Sequence, residues 1–231
     1  MYRQLAPGPT SKKYGVDDTV SNRGIIRCIG ANLLSVFAVA WCVVINDYDI
    51  YTATAASSWP WIVEWLTTIL NGEPKKCGYS PYVPYLLLAV SSSNAAFSSM
   101  RNEAVATVMR RVSTFSLFFH AIGFTVLPAI TSAIRDSKIM DNEETSFLLR
   151  TFGCTCAHFG VLSALLDFGK MDPIRALGYA TAVQTATLMA TIIFDKKFAS
   201  ASTRHLYMGV GSAWLAFLML RGDQGGTEQS L

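Results

Sequence analysis

Two histidines are the residues whose type and spacing best suit a chemical role. His120 and His158 lie about eight and ten residues inside consecutive apolar stretches, which places both ~12–15 Å deep if the stretches are helices. Two imidazoles at matched depth on neighbouring helices could ligate one haem iron or a chlorin metal. Cys154 lies one helical turn before His158 and suggests a mixed metal site as a second option. We favour the simpler interpretation, in which each histidine hydrogen-bonds a neighbouring hydroxyl or carbonyl group.

Other polar side chains inside the apolar stretches predict contacts between helices. Asn32 and Asn94 are expected to form interhelical hydrogen bonds, and Gln184 belongs to a threonine-rich stripe that favours protein neighbours over lipid. Ionisable residues inside a membrane mark functional sites, but Arg150 and Asp167 lie near the ends of their stretch. We therefore predict no carboxylate or lysine at mid-depth. This weighs against a proton pump, an ion-coupled carrier and an enzyme that works by paired acids.

Several further classes of site find no support in the sequence. The five cysteines have no spacing typical of a disulfide framework or a zinc site. The net charge of +3, without a basic stripe, predicts no nucleic-acid partner. Gly153 and Gly160, each followed four residues later by alanine, instead predict close approach of helix backbones. We expect bound lipids and no catalytic residue, so that an enzyme is the less favoured class. The sequence does not identify a cofactor, and a single haem or chlorin is an option that it does not favour.

The elements that position these residues are long apolar stretches. Of the 231 residues, 51% are hydrophobic and only 15% are charged, and the charges cluster in short breaks. A soluble helix bundle would instead carry charge along the outer face of each helix. We predict an all-α polytopic transmembrane helix bundle of about six spans, at residues 25–45, 82–97, 112–134, 147–168, 174–194 and 206–220. Residues 1–24 are predicted to be a polar extension, 25–221 the transmembrane domain and 222–231 a disordered tail.

The connection between the first two predicted spans is rich in tryptophan. Its apolar run at residues 62–70 is too short to cross a hydrocarbon layer, which needs ~20 residues. Trp59, Trp61 and Trp65 favour the headgroup zone, so we predict an interfacial or re-entrant helix anchored by them. A crossing there would move the carboxyl terminus to the other side.

Charge asymmetry tests the predicted topology. With six spans, 11 of the 19 lysines and arginines lie on the side of the amino terminus and 8 on the other. By the positive-inside rule, both termini are expected on the matrix or cytoplasmic side.

These features favour a non-catalytic accessory or scaffold subunit of a larger membrane complex. An organellar energy-transducing assembly, as in the mitochondrial inner membrane, would suit it, with lipids and other membrane subunits as partners. Two alternatives remain open. One is a small-molecule carrier or a membrane enzyme acting on a lipid-like substrate, with Asn32 and Gln184 lining its cavity. The other is a haem- or pigment-binding protein that uses His120 and His158.

Overall fold

The fold is a helical bundle in the part of the chain that the structure describes. The computed structural model describes residues 17–77, 80, 82–125, 143–194 and 203–221. These residues contain eight α-helices and no strand. The helices are α1 Val20–Val39, α2 Ile50–Leu70, α3 Glu73–Cys77, α4 Tyr82–Ser99, α5 Glu103–Thr125, α6 Glu143–Asp167, α7 Pro173–Phe194 and α8 Thr203–Arg221. A π-helical segment, Ala40–Ile45, continues α1.

Side-chain caps begin several of the described helices, α7 and α2 among them. Asp172 accepts hydrogen bonds from the backbone N–H groups of Ile174 and Arg175 at 3.0 and 3.1 Å, and Asp49 accepts one from Thr52 at 2.9 Å. Such caps satisfy N–H groups that have no partner inside the helix. The Asp-Pro pair that begins α7 is readable from the sequence, because proline fits the first helical position.

Asp49 also ties α2 to the connection between α4 and α5. Arg101, in that connection, donates to Asp49 Oδ2 at 2.7 Å. The Thr52 N–H, assisted by the Arg101 charge, holds the pKa of Asp49 below its usual value. Asp49 therefore stays ionised and fixes this corner of the bundle.

The seven long helices alternate in direction. Each packs against the next long helix along the chain. Between α5 and α6, Phe124 contacts Phe152 at one end and Arg110 pairs with Asp167 at the other, which makes these two helices antiparallel. We call the end of the bundle that holds the start of α1 the proximal end, and the opposite one the distal end. With seven alternating helices, α1 begins at the proximal end and α8 finishes at the distal end.

Helices α1 and α6 run side by side in the same direction. Thr145 donates to Asn22 at 2.9 Å, and ten residues further along each helix Asn32 donates to Thr155 at 3.2 Å. Apolar side chains of α1, α5 and α6 fill the space around these bonds. The fully buried members are Ile26, Leu148, Leu149 and Cys156.

Two segments of the described chain are long and apolar enough to cross a membrane. They are Val20–Ile45, with a mean hydropathy of 2.3, and Thr145–Asp167, with a mean hydropathy of 1.3. The structure therefore does not confirm a bundle of six spans. Many large apolar side chains of α5 and α8 are nevertheless exposed, among them Phe115, Ile122, Val210 and Trp214.

Two helices differ from the predicted elements. Helix α2 is 21 residues long and continues through Pro60, whereas the sequence predicted only a short helix at 62–70. Its first half packs against α1 through small side chains, including the buried Ala53 and Ser57, which the apolar pattern does not show. Helix α5 begins at Glu103 rather than at 112 and so contains Arg110. Residues 126–142, most of the amino-terminal extension and the tail at 222–231 lie outside the described residues.

Candidate functional site

A cavity of about 270 Å³ lies inside the bundle, between α1, α2, α4, α5 and α6. Leu149 and Asp167 of α6 both line it, and 18 helical residues separate them, so the cavity extends over ~27 Å. Its wall alternates hydroxyl groups with aromatic rings. The hydroxyl residues include Ser57, Ser58, Ser91, Ser113 and Ser116, and the rings include Trp61, Phe119, Phe124 and Phe152.

Buried charges close the proximal end of this cavity. Arg27 of α1 donates through Nε to Glu64 of α2 at 3.0 Å, and through Nη2 to Glu73 of α3 at 2.6 Å. The three side chains are 1 to 7% exposed, and both carboxylates line the cavity. We call Arg27, Glu64 and Glu73 the proximal cluster. It contains two carboxylates and one guanidinium.

The local sequence explains how Glu73 reaches Arg27. Gly72 joins α2 to α3 with φ at +61°, a left-handed conformation that glycine adopts without a steric penalty. A Cβ atom at Gly24 of α1 would lie 3.3 Å from Glu73 Oε2. Gly72 thus lets the chain turn sharply, and Gly24 leaves room for the Glu73 carboxylate.

A second group of buried charges lies at the distal end. Arg110 of α5 donates to Asp167 Oδ1 of α6 through Nε at 3.0 Å and through Nη2 at 2.9 Å. The side chains are 10 and 9% exposed, and Arg111 lies 3.8 Å from the other Asp167 oxygen. The ring of Tyr51 packs against the Arg110 guanidinium at 5.1 Å. We call Arg110 and Asp167 the distal pair.

Several buried polar atoms in this region have no hydrogen-bond partner among the described residues. They include Arg110 Nη1 and Asp167 Oδ2 of the distal pair and Asn94 Oδ1 of α4. Asn94 of α4 is 8% exposed and donates through Nδ2 to Ser113 of α5 at 3.3 Å. Ser113 follows Arg110 by three residues, so these two residues lie about one turn apart on α5. Both side chains line the cavity.

His120 lines the cavity, and its own helix holds its Nδ1. Its Nδ1 lies 2.6 Å from the carbonyl oxygen of Ser116 and 3.4 Å from the Ser116 hydroxyl. A short bond to a carbonyl requires a proton on Nδ1. Nδ1 therefore cannot take the proton of the Ser116 hydroxyl, and the pair does not form an activated nucleophile.

The predicted histidine pair is matched in depth but not brought together. His120 contacts the rings of Phe124 and Phe152. His158 lies beside the Gln184 side chain of α7, although neither ring nitrogen makes a hydrogen bond of ordinary geometry within the described residues. Different neighbours surround the two imidazoles, and His158 does not line the cavity. Cys154 faces Thr191 of α7 at 3.9 Å. The described residues contain no cluster of three or more side chains suited to a metal.

The predicted polar contacts and anchors lie at different places in the bundle. Asn32 bonds Thr155 and lies within 3.1 Å of the sulfur of Cys156, a residue that lines the cavity, although Asn32 itself does not line it. Trp59 is 60% exposed, whereas Trp61 lines the cavity and stacks on Trp65.

The chain matches no known family model, no curated protein and no solved structure.

The structure adds residues that the sequence interpretation missed. Glu64 and Asp167 are buried carboxylates, and Arg110 lies within a helix rather than before one. One signal was present in the sequence: Glu64 interrupts an otherwise apolar run. An acid inside such a run needs a buried partner or an exposed face. Choosing between them required the position of Arg27.

Proposed function

We propose that the protein is a multi-pass membrane carrier for a small molecule. The observation that carries this proposal is the cavity that extends between the proximal cluster and the distal pair. Cavities between the helices of a bundle, with mostly apolar walls and a few polar groups, are common ligand sites, and buried charges in membrane proteins mark transport pathways. The two segments with the length and apolarity of spans, and the exposed apolar faces of α5 and α8, support placement in a membrane.

The charges at the two ends of the cavity suit the two gates of a carrier. Arg27 and Glu64 join α1 to α2 at the proximal end, and Arg110 and Asp167 join α5 to α6 at the distal end. Breaking either set would separate a different pair of helices. Access could then alternate between the ends, as carriers require. The burial of carboxylates weakens the prediction that argued against an ion-coupled carrier.

The contacts of α7 weaken the case for an accessory subunit. The threonines of its stripe were expected to face protein rather than lipid, either within this chain or in a partner subunit, and they donate to carbonyl groups of their own helix. These bonds join Thr181 to Leu177, Thr185 to Thr181, Thr187 to Val183 and Thr191 to Thr187. Helix α7 also packs between α6 and α8. Partner subunits and an organellar inner membrane remain predictions.

A liposome swelling assay tests the carrier proposal. The full chain is reconstituted, and swelling is followed by light scattering in gradients of small polyols, amides and amino acids. We expect faster swelling than in empty liposomes for at least one of these solute classes. Ser91→Trp places a large ring at the cavity wall and should abolish the difference. Val112→Trp, on the exposed face of α5, is the matched control and should leave it intact.

The proposal is wrong if liposomes that contain the folded chain swell no faster than empty ones in every gradient. It is equally wrong if Ser91→Trp swells as fast as the wild-type chain while circular dichroism shows both to be folded.

A further inference from the structure

We infer that Asn94 and Arg110 form the cargo-recognition site and that it binds the hydroxyl groups of a small, neutral polyol-like molecule. This inference rests on the proposed carrier function and adds the chemical class of the cargo. It starts from the two buried atoms beside the distal pair, Asn94 Oδ1 and Arg110 Nη1, which have no partner among the described residues.

Unpaired buried polar atoms are costly. Leaving one such atom without a hydrogen bond costs about 1–3 kcal/mol, and here two of them belong to side chains that line the same cavity. Asn94 is 8% exposed and the Arg110 side chain 10%. A bound molecule that pairs both atoms would remove this cost.

The two atoms need hydrogen-bond partners of opposite kinds. Arg110 Nη1 can only donate, and Asn94 Oδ1 can only accept. A hydroxyl group both accepts and donates, and a molecule with neighbouring hydroxyl groups could satisfy both atoms at once. Ser91 and Ser113 add further hydroxyl groups to the same stretch of cavity wall.

Charge balance favours a neutral cargo. The single charge of Arg110 is matched by Asp167, which accepts two of its N–H bonds on one oxygen. An anionic ligand at Nη1 would be repelled by the Asp167 carboxylate, and Arg111, the other nearby cation, is 57% exposed and screened. A cationic ligand would be repelled by Arg110 itself.

The volume and the aromatic walls of the cavity limit the size and the carbon skeleton of the cargo. A volume of about 270 Å³ lies just below the ~300–1,000 Å³ typical of drug-sized ligand pockets. Aromatic rings, among them Phe119 and Phe124, line the same space and would pack on the carbon skeleton. A short-chain or cyclic polyol would fill the part of this cavity that Asn94 and Arg110 line.

Concentration-dependent polyol uptake by liposomes that contain the full chain tests the inference. The probes are a four- to six-carbon polyol series and the mono-O-methyl ether of each member, which has one hydrogen-bond donor fewer. In the wild-type chain, we expect saturable uptake with a lower KM for the parent polyol than for its ether. Asn94→Leu should raise the KM of the parent about tenfold, which corresponds to ~1.4 kcal/mol, and should remove the preference over the ether.

The same uptake measurement on Arg110→Lys tests the other unpaired atom. Lysine keeps the charge opposite Asp167 but lacks the planar fork that presents Nη1, so the KM should again rise. Arg111→Lys is the matched control on the neighbouring, exposed position, and its KM should stay within about twofold of the wild-type value.

The possible results distinguish a failure of this inference from a failure of the carrier proposal. Transport of amides or amino acids that Ser91→Trp blocks, with no saturable polyol uptake, overturns the inference and leaves the carrier intact. An unchanged preference for the parent polyol over its ether in a folded Asn94→Leu chain also overturns it. Swelling no faster than that of empty liposomes in every gradient overturns both proposals.

Discussion

At the scale of residues, the proximal cluster dominates the energetics of the site. Removing the cation from a buried ion pair leaves an uncompensated charge, at a cost of about 3–5 kcal/mol. Arg27→Met leaves Glu64 and Glu73 buried without their guanidinium and should lower the stability by that amount. Arg23→Met removes an exposed pair with Asp18 and should cost less than about 1 kcal/mol.

Thermal unfolding of the two variants in lipid nanodiscs measures this contrast. Glu64→Gln should cost much less than Arg27→Met, because it leaves Arg27 with one carboxylate. Equal losses for Arg27→Met and Arg23→Met would show that the proximal cluster is not buried in the folded protein.

At the scale of elements, glycines on α6 set the distance to α5. A Cβ atom at Gly153 would lie 2.7 Å from Thr125 Cγ2 and 3.1 Å from Phe124 Cβ, so Gly153→Ala should push the helices apart and cost about 1–3 kcal/mol. Gly211 of α8 has open space around its Cβ position. Gly211→Ala should therefore be neutral or gain up to ~1 kcal/mol from helix propensity.

The same unfolding measurement compares the two glycine variants. If Gly153→Ala is as stable as Gly211→Ala, then α5 and α6 do not approach as closely as the structure shows. The sequence already predicted a close approach at Gly153, because a small residue follows it at the same face one turn later.

At the scale of the whole molecule, the alternation of seven helices changes the expected topology. If all seven cross the membrane, 13 of the 19 lysines and arginines belong to the proximal side by chain position and 6 to the distal side. The proximal residues are Arg3, Lys12, Lys13, Arg23, Arg27, Lys75, Lys76, Arg135, Lys138, Arg150, Lys196, Lys197 and Arg204. This bias is stronger than the 11 against 8 of six spans. With seven spans, the positive-inside rule predicts the amino terminus on the cytoplasmic or matrix side and the carboxyl terminus on the opposite side.

Epitope tags at the two termini test this topology. In sealed membrane vesicles, protease should remove one tag and spare the other, and permeabilisation should expose both. Removal or protection of both tags together would instead support the six-span topology with both termini on one side.

The sequence by itself determined the helical class, the apolar character and most helix positions, because periodicity, composition and capping residues act locally. Five predicted spans coincide closely with described helices, and the Asp172 cap begins α7 as expected. Only the tertiary structure decided that α2 is a full helix, since its first half is held by small side chains against α1 rather than by an apolar stripe. The proximal cluster and the distal pair join residues 37 to 57 positions apart. Such pairs depend on which helices meet, and the periodicity of a single helix does not determine that.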